Sequence, residues 1–449
     1  MKIIDQYKKE VAYLESLGNI EGQKDYQSNR VGASICLKRT KYLLKLLGNP
    51  EQKIKKYIHI GGTSGKGSVA NFLHEIITAS GKRSGLFTSP FVTETIEKYK
   101  IGHKLISPKE FVEIVDDIKP AIDVCASKSP FGVPSYFEVC FAIAVIYFTK
   151  NKCDCFVSEV GLGGEFDATN SVARRKIALI THVDYDHTEL LGNTLEKIAR
   201  TKSKIISRES IFFTNEPRPA IRKIFKSECR KQNAVFNYVG NHAQQIKHKN
   251  TYFIFLYKNH EYRLNLWGEH QVKNAILAIE IAKYLGIKNT YMVKGLANTK
   301  IPGRFEIVKN KPYIILDVAH NPDKVKTTLE NLGLIKYRKL YIVYASAANK
   351  DLSKIASIVS GFADELIITK YFLTQRKCAN PKYIQKIWQK ANKNLHINII
   401  LDPWQALKIA ESNAKSSDIV LVLGSFFLVG ELRKKWWPAQ KILRTGKVI

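Results

Sequence analysis

The residues best suited to chemistry form a glycine-rich run just after the apolar segment 57–60: Gly62, Thr63, Ser64, Gly65, Lys66, Gly67 and Ser68. A helical pattern of apolar residues follows, which places the run between a strand and a helix. Such a turn binds phosphate, because backbone N–H groups and a lysine face the anion and a hydroxyl holds Mg²⁺. The spacing departs from the common GxxxxGKS form, since Gly67 separates Lys66 from Ser68. We predict a phosphate-binding loop; a glycine-rich turn without a ligand is the alternative.

Other polar residues lie at the ends of expected strands. Ser89 follows the segment 84–88, Glu159 lies in the apolar segment 156–160, and His187 follows the segment 177–181. Ligands of open α/β sheets collect at the carboxyl ends of the strands. We expect the strands that precede Glu159 and His187 to be neighbours, which would let the two side chains converge.

The elements that must position these residues are strands alternating with helices, a pattern typical of parallel sheets covered on both faces. A helical segment of about 50 residues precedes the first strand. A second series of strands begins near residue 300, at 313–317, 340–344, 365–369, 397–401 and 419–423. Residues 210–266 contain short strand-like segments with polar breaks, which predicts an antiparallel insert.

The predicted fold class is therefore α/β, with two domains. Residues 1–299 are expected to form an ATPase domain with a P-loop-type parallel sheet and a small antiparallel insert. Residues 300–449 are expected to form a second, Rossmann-like α/β domain. A chain of 449 residues is long enough for two such cores.

Composition favours a cytoplasmic globular protein. Seven cysteines at irregular spacing are expected to be reduced thiols. The apolar run 137–148 is shorter than the roughly 20 residues that cross a membrane, so we expect a buried helix. The formal net charge of +31 favours anionic partners. Because the basic residues are spread along the whole chain, solvated surfaces are the preferred interpretation.

Further motifs follow the glycine-rich run in a fixed order: Leu86-Phe87-Thr88-Ser89-Pro90, Glu159-Val160-Gly161-Leu162-Gly163-Gly164, Asp167-Ala168-Thr169-Asn170, Asp186-His187-Thr188, Gly268-x-His270-Gln271-x-x-Asn274-Ala275, Pro302-Gly303-Arg304-Phe305-Glu306, Leu316-Asp317-x-Ala319-His320-Asn321-Pro322 and Val429-Gly430-Glu431. Together they resemble the folylpolyglutamate synthase and dihydrofolate synthase branch of the Mur ligase superfamily. The resemblance covers nearly the whole chain, from about residue 13 to residue 433.

The resemblance implies an ATP- and Mg²⁺-dependent amide ligase of folate biosynthesis and one-carbon metabolism. Such an enzyme transfers the γ-phosphate of ATP to a carboxylate, and the amine of L-glutamate then attacks the acyl phosphate. The protein positions the reactants and neutralises phosphate charge. The resemblance places ATP on the loop from Gly62 to Ser68, with Lys66 as the phosphate lysine.

The resemblance also assigns roles to residues outside the loop. Metal ligands are Ser89, Glu159 and His187, and nucleotide contacts are Asn274, Arg304, Asp317 and His320, with Arg304 reaching the phosphates from the second domain. Pterin contacts are Tyr136, Phe137, Asp167 and Ala168. Lys202, on a helix beginning near Thr194, matches a lysine that is carbamylated in similar ligases, where it helps to hold a second Mg²⁺. An ordinary surface lysine is the alternative for Lys202.

Several functions remain open from the sequence. The glutamate acceptor is dihydropteroate, a folate with an existing glutamate tail, or both. Another amino-acid ligase of the Mur superfamily is a second possibility. A basic nucleic-acid-binding protein with a structural ATP loop is a third, although no basic arm or recognisable binding module supports it. We expect a monomer whose partners are small molecules, with neither nucleic acid nor membrane among them.

Overall fold

The structure of the protein is a computed structural model that describes residues 2–19, 30–172, 176–185, 187–240, 242–249, 251–372 and 377–448. Asp186 of the motif Asp186-His187-Thr188 lies outside the described residues. Before the first strand, the described residues form the helices α1 (Lys2–Ser16) and α2 (Arg30–Leu46), in agreement with the predicted helical segment.

An eight-stranded sheet in the order β4-β3-β2-β5-β1-β6-β7-β8 forms the first α/β unit. Its strands are β1 (Tyr57–Gly61), β2 (Ser84–Phe87), β3 (Tyr99–Ile101), β4 (Lys104–Leu105), β5 (Cys155–Glu159), β6 (Lys176–Ile180), β7 (Ile211–Thr214) and β8 (Val235–Tyr238). The connecting helices are α3 (Lys66–Ala79), α4 (Pro108–Lys128), α5 (Tyr136–Lys150), α6 (Thr188–Leu191), α7 (Leu195–Ser203) and α8 (Pro219–Lys231). In the sheet, the six strands β2, β5, β1, β6, β7 and β8 pair in parallel with their neighbours. Strands β3 and β4 extend the sheet at the β2 edge with antiparallel pairings.

Both faces of this sheet are buried, because successive side chains of a strand point to opposite faces. Tyr57 packs in a core with Phe111 of α4 and Phe141 of α5. The next residue, Ile58, packs in a different core with Phe72 of α3. Helix α5 is the buried helix expected from the apolar run 137–148.

The antiparallel insert is smaller than predicted. The segments at 211–214 and 235–238 are not part of it, because they form β7 and β8, which pair in parallel with the main sheet. Parallel neighbours need a crossover connection, and α8 supplies it between β7 and β8. The antiparallel sheet contains only β9 (Gln244–Lys249), β10 (Tyr252–Tyr257) and β11 (His260–Leu264). Two helices follow, α9 (Glu269–Tyr284) and α10 (Asn289–Asn298).

A six-stranded sheet in the order β12-β13-β17-β14-β15-β16 forms the second α/β unit. Its strands are β12 (Glu306–Asn310), β13 (Tyr313–Asp317), β14 (Leu340–Tyr344), β15 (Glu365–Ile368), β16 (His396–Ile399) and β17 (Ile419–Leu423). Its helices are α11 (Pro322–Leu332), α12 (Leu352–Val359), α13 (Pro381–Ala391), α14 (Pro403–Asn413) and α15 (Phe426–Arg433), and α16 (Ala439–Thr445) ends the chain. The five predicted strands are confirmed; β12, an antiparallel edge strand, was not predicted.

The two sheets confirm the α/β fold class, with a parallel sheet in each unit. The division into residues 1–299 and 300–449 stays a prediction; it lies between α10 and β12. The last helix, α16, returns to the first unit, since its Ile442 and Leu443 belong to the core that contains Phe111. Within the described ranges, no helix combines the length and the apolar character that a membrane crossing requires.

Candidate active site

A cleft of about 1570 Å³ lies at the carboxyl ends of β1, β2 and β5 in one unit and of β13 and β17 in the other. Every residue to which the sequence assigned a role lines this cleft: Gly62, Thr63, Ser64, Gly65, Lys66, Gly67, Ser68, Ser89, Tyr136, Phe137, Glu159, Asp167, Ala168, His187, Lys202, Asn274, Arg304, Asp317 and His320. Residues that are far apart in the chain are thus brought to one surface, where ligands of open α/β sheets bind.

The glycine-rich loop is shaped by contacts that leave no room for side chains at two positions. Gly62 has a φ of +136°, and a Cβ atom there would lie 2.0 Å from Oγ1 of Thr181. Gly65 has a φ of +86°, and a Cβ atom there would lie 2.6 Å from Oδ1 of Asn274. Thr181 Oγ1 also donates a hydrogen bond to the carbonyl oxygen of Ser64 at 2.6 Å. Glycine is required at both positions, and the loop is fixed against the end of β6 and against α9.

Helix α3 begins at Lys66, and no side chain caps its N-terminus. The first N–H groups of a helix have no intrahelical acceptor, and they lie at the positive end of the helix dipole. The end of α3 and the loop therefore present to the cleft the arrangement that binds phosphate groups. Ser68 lies in the first turn, where its hydroxyl also lines the cleft.

Two lysines donate hydrogen bonds to the same atom of this loop. The Nζ atom of Lys66 lies 3.2 Å from the carbonyl oxygen of Gly62, and the Nζ atom of Lys202 lies 3.1 Å from it. Lys202 extends from α7 and is only 4% exposed. It is therefore not an ordinary surface lysine. Its carbamylation stays a prediction.

Glu159 is the last residue of β5, and Ser89 comes shortly after β2. The two residues lie side by side because β2 and β5 are adjacent parallel strands. The backbone N–H of Ser89 donates to Oε2 of Glu159 at 3.3 Å. Burial raises the pKa of the Glu159 carboxyl group, and the positive charge of Lys66 opposes that rise. A buried carboxylate beside Ser89 and the phosphate-binding loop is well placed to receive a cation.

His187 does not follow a neighbouring strand, contrary to the prediction. It follows β6, and β1 lies between β5 and β6 in the sheet. The phosphate-binding loop therefore emerges between Glu159 and His187. His187 has a left-handed backbone conformation, with a φ of 49°, at the start of α6. Its imidazole lines the same cleft.

A metal ion at the predicted site would need ligands in addition to the protein side chains. In the portion of the chain that the structure describes, no three His, Cys, Asp or Glu side chains are grouped to hold a metal ion by themselves. Mg²⁺ usually takes one or two protein carboxylates together with substrate phosphates and water. The Glu159 carboxylate, the Ser89 hydroxyl and the adjoining loop fit that pattern of oxygen donors.

The second unit contributes Arg304 and His320, which both contact the ring of Phe426. The guanidinium carbon of Arg304 lies 5.2 Å from the centroid of the Phe426 ring, and the His320 ring lies 5.7 Å from it. Burial lowers the pKa of His320 well below its usual range, and Lys324 lowers it further. His320 is therefore a neutral imidazole at pH 7, and Arg304 supplies positive charge to the cleft.

Asp317 ends β13 and accepts three hydrogen bonds within the second unit. Its Oδ1 accepts from the N–H of Ala319 at 2.9 Å, and its Oδ2 accepts from the N–H of Phe305 at 3.2 Å and from the Thr328 hydroxyl at 3.1 Å. Burial raises the pKa of this carboxyl group. The bond to Phe305 fixes the residue next to Arg304, so Asp317 holds the arginine turn in place in addition to any contact with a nucleotide.

The helix that follows is not capped by Asp317 or His320. Asn321 is the N-cap of α11, and its side chain accepts from the N–H of Lys324. Helix capping therefore does not account for the positions of Asp317 and His320, which both line the cleft. The side chain of Asn274, on α9, donates to Gln271 of the same helix at 3.1 Å. It also packs against the loop at Gly65, so it connects α9 to the phosphate-binding loop.

Another region of the cleft is aromatic and contains a lysine that the sequence analysis did not single out. Lys98 is 3% exposed, and its Nζ atom donates to the Tyr136 hydroxyl at 2.8 Å. The same ammonium group lies 4.3 Å from the Tyr136 ring centroid and 5.2 Å from that of Phe91. Burial lowers the pKa of Lys98. In a chain with 71 lysines and arginines, no sequence signal distinguished this residue.

Tyr136 and Phe137, the first two residues of α5, line the cleft. The Phe137 ring also packs on Phe87, with ring centroids 5.9 Å apart. Asp167 is buried next to Ala168, and burial raises the pKa of its carboxyl group. It accepts from the N–H of Leu162 at 2.8 Å and from the Thr169 hydroxyl at 2.5 Å. This region of the cleft combines flat aromatic surfaces with a few fixed polar groups, the usual character of a small-molecule site.

Family comparisons agree with this geometry. The Mur ligase middle domain matches residues 60–282, and the Mur ligase glutamate ligase domain matches residues 303–426. These matches define the class of protein: a Mur-type ligase with an ATP-binding unit and a second α/β unit.

Individual relatives narrow the class further. The dihydrofolate synthase/folylpolyglutamate synthase of Bacillus subtilis is 28% identical over 444 residues, which cover 94% of this chain and 99% of the relative. The crystal structure of folylpolyglutamate synthase from Thermotoga maritima is 30% identical, has a TM-score of 0.76 and covers 92% of this chain and 94% of that chain. A bifunctional folylpolyglutamate synthase/dihydrofolate synthase with Mn, AMPPNP and L-glutamate bound is 25% identical, has a TM-score of 0.75 and covers 89% and 93% of the two chains.

The chain belongs to the folylpolyglutamate synthase and dihydrofolate synthase family of the Mur ligase superfamily. It is an ATP-dependent ligase of folate metabolism.

Proposed function

We propose that this enzyme joins L-glutamate to the carboxyl group of a folate-type substrate through an acyl phosphate. A carboxylate oxygen of the folate attacks the γ-phosphorus of ATP, and ADP leaves. The amine of glutamate then attacks the acyl carbon, an amide bond forms and inorganic phosphate leaves. A relative with AMPPNP, Mn and L-glutamate bound supports the reactants, because those ligands correspond to ATP, a divalent cation and the amine substrate.

The residues of this chain act mainly by holding charge and position. The loop from Gly62 to Ser68 binds the phosphates of ATP through backbone N–H groups, and Lys66 neutralises their charge. Arg304 adds a cation from the second unit. Ser89, Glu159 and His187 are the groups that would hold Mg²⁺, which stabilises charge on the phosphate oxygens when bound. Tyr136, Phe137, Asp167 and Ala168 receive the pterin end of the folate.

One observation carries the proposal: a single cleft is lined by the phosphate-binding loop, by Glu159 and Ser89, and by Arg304 of the other unit. Transfer of a phosphoryl group to a carboxylate requires a cation-rich phosphate site and a separate acceptor site within reach of each other. The aromatic region around Tyr136 and Lys98, which lines the same cleft, is such an acceptor site.

The test is ADP release by the purified enzyme, measured with ATP, Mg²⁺, one acceptor and one amino acid at a time. Dihydropteroate and a reduced folate that already carries glutamate are the two acceptors, and a mixture of amino acids without glutamate is the control. Release that needs glutamate and either acceptor supports the proposal, and the acceptor identifies which of the two synthase activities is present. Release with other amino acids but without a folate would indicate a different Mur-type ligase.

We also propose that the enzyme works in the cytoplasm as a monomer, on small-molecule substrates alone. Its seven free cysteines support a reducing compartment. Light scattering of the purified enzyme tests whether it is a monomer.

Nucleic-acid binding, the alternative suggested by the net charge of +31, would show an affinity that falls steeply with salt. Ligase turnover would depend instead on glutamate and a folate.

A further inference from the structure

Arg433, at the end of α15, is fully buried and joins three separate segments of the chain. Its guanidinium donates to the carboxylate of Glu306 with distances of 2.8 to 3.1 Å. It also donates to the Thr93 hydroxyl at 3.2 Å and to the backbone carbonyl oxygen of Val448 at 2.5 Å. Thr93 belongs to the first α/β unit, whereas Glu306 belongs to β12 of the second.

The carboxylate of Glu306 connects this arginine to the turn that carries Arg304. Oε2 of Glu306 accepts a hydrogen bond from the backbone N–H of Gly303 at 2.8 Å. Gly303 directly precedes Arg304, whose guanidinium lines the cleft. One carboxylate thus holds both Arg433 and the start of the Arg304 turn.

Thr93 lies in the segment that joins β2 to β3 and contains Ser89, which we call the Ser89 loop. The carboxylate of Glu97 accepts from the N–H groups of Val92, Thr93 and Glu94 at 3.0 to 3.1 Å, which makes this loop rigid. At its start, the N–H of Ser89 donates to Glu159. Hydrogen bonds therefore hold the loop both at Ser89 and around Thr93.

The same loop packs directly on α15. A Cβ atom at Gly430 would lie 1.8 Å from the carbonyl oxygen of Val92, so only glycine allows this approach. Helix α15 therefore holds the loop at two points: Arg433 donates a hydrogen bond to Thr93, and Gly430 packs closely against Val92. Gly430 and Arg433 are three residues apart, which places them on one face of the helix. The second unit contacts the Ser89 loop through the helix that carries Arg433.

A buried ion pair contributes little net stability relative to apolar side chains of the same size, because desolvation of both charges offsets their attraction. We infer that this ion pair instead fixes the relative positions of the segments that contain Thr93 and Glu306. We propose that Arg433 is a positioning residue, which holds the Ser89 loop of the first unit in register with the Arg304 turn of the second. The inference rests on the proposed roles of Ser89 at the metal and Arg304 at the phosphates.

The experiment uses the full-length enzyme and compares Thr93→Val, Arg433→Met, Arg433→Lys and the double variant Thr93→Val/Arg433→Met. Thr93→Val removes only the hydroxyl that Arg433 contacts and leaves the pair with Glu306 intact. Arg338→Met is the matched control, since Arg338 pairs with Asp418 at 3.4 Å and is half-exposed. The readouts are the Mg²⁺ concentration for half-maximal turnover, the KM for ATP, the KM for glutamate and the thermal midpoint.

We expect Thr93→Val to raise the Mg²⁺ requirement and the KM for ATP roughly tenfold, because a hydrogen bond to a charged group is lost. Its KM for glutamate should stay near wild type, and its thermal midpoint should fall modestly, because the buried Nη1 group of Arg433 loses an acceptor. Arg433→Met should have the larger effect, Arg433→Lys should restore part of it, and the double variant should match Arg433→Met, because Thr93 acts through Arg433.

Wild-type values for Mg²⁺ and ATP in Thr93→Val would overturn the inference, as would additive effects in the double variant. Equal loss in every kinetic parameter together with a lower thermal midpoint would assign Arg433 a purely structural role and would also overturn it. If Arg433→Met does not fold, Thr93→Val and Arg433→Lys carry the test. Failure of the proposed function is distinguishable, because wild-type enzyme would then release no ADP with either folate.

Discussion

Lys66 and Lys202 donate to one acceptor, the carbonyl oxygen of Gly62, from helices on different sides of the phosphate-binding loop. Two ammonium groups that share an oxygen atom repel each other, and the repulsion is stronger in a partly buried cleft than in water. An anion between or beside them relieves it. We therefore expect phosphate oxygens to bind beside these lysines, and Lys202 to be the lysine that carbamylation would convert to a carboxylate.

Replacement of Lys66 by alanine should lower ATP turnover at least about 100-fold while the protein stays folded, because a cation is removed from the developing phosphate charge. Steady-state ADP release and the thermal midpoint measure the two effects. Lys82→Ala is the control, since Lys82 is exposed in the turn after α3. Unchanged turnover in Lys66→Ala would contradict the assignment of the ATP loop.

Replacement of Lys202 by alanine should abolish most activity, and short carboxylic acids added to the assay should restore part of it. The additive would occupy the space of the missing side chain and supply the carboxylate that a carbamate provides. Lys204→Ala is the control, because Lys204 is on the same helix end and pairs with Glu228 at 2.9 Å outside the loop. Full activity of Lys202→Ala without any additive would refute the role.

Glu159→Gln and His187→Ala should each raise the Mg²⁺ concentration for half-maximal turnover by about tenfold or more. Each change removes one group that would hold the metal, and Glu159→Gln also removes the negative charge. The measurement is a Mg²⁺ titration at saturating ATP. Glu196→Gln, an exposed change in the first turn of α7, is the control. Wild-type titration curves for both variants would rule these residues out as ligands.

His74 of α3 should make folding stability depend on pH. It is fully buried, and its ring bonds Ser84 Oγ at 2.9 Å and the Gly102 carbonyl oxygen at 2.7 Å. Burial, reinforced by Lys100, lowers the pKa of His74 well below its usual range. The unfolded chain therefore binds this proton at a higher pH than the folded protein does, so stability falls as pH drops through about 6.5, the unfolded value.

Urea unfolding between pH 7.5 and pH 5.5 measures this dependence. We expect His74→Gln to be less stable than wild type at pH 7.5, because the ring's two hydrogen bonds are changed, but to lose less stability on acidification. His103→Gln is the control, because the His103 side chain is 65% exposed beside the same helix. A pH dependence of the same slope in His74→Gln and wild type would show that another group is responsible.

Local patterns in the sequence determined most of the elements. The glycine-rich run between an apolar segment and a helical stripe became β1, the loop and α3, because that order of residues leaves few other conformations. Three strands of the second sheet, β13, β14 and β17, have the bounds that were predicted. They are continuous apolar runs buried on both faces, and such runs are distinctive in sequence.

Local patterns failed where pairing partners lie far apart in the chain. The segments 211–214 and 235–238 have the same short, polar-flanked pattern as antiparallel strands, and only the packing of α8 between them makes them parallel. Strand β12 is half exposed at an edge and carries Lys309 and Asn310, so its sequence resembles a loop. Strand order is likewise a tertiary property, and it places β1 between β5 and β6, so that Glu159 and His187 lie on opposite sides of the loop.

The sequence by itself predicted the candidate residues for phosphate and metal chemistry, because that chemistry requires particular side chains in particular turns. The tertiary structure decided how they are held. It buried Lys202 against Gly62, placed Lys98 in an aromatic corner, and joined Thr93 to Glu306 through Arg433, although these residues are up to 340 positions apart. Burial and long-range hydrogen bonding depend on which segments meet in space, and no local spacing encodes that.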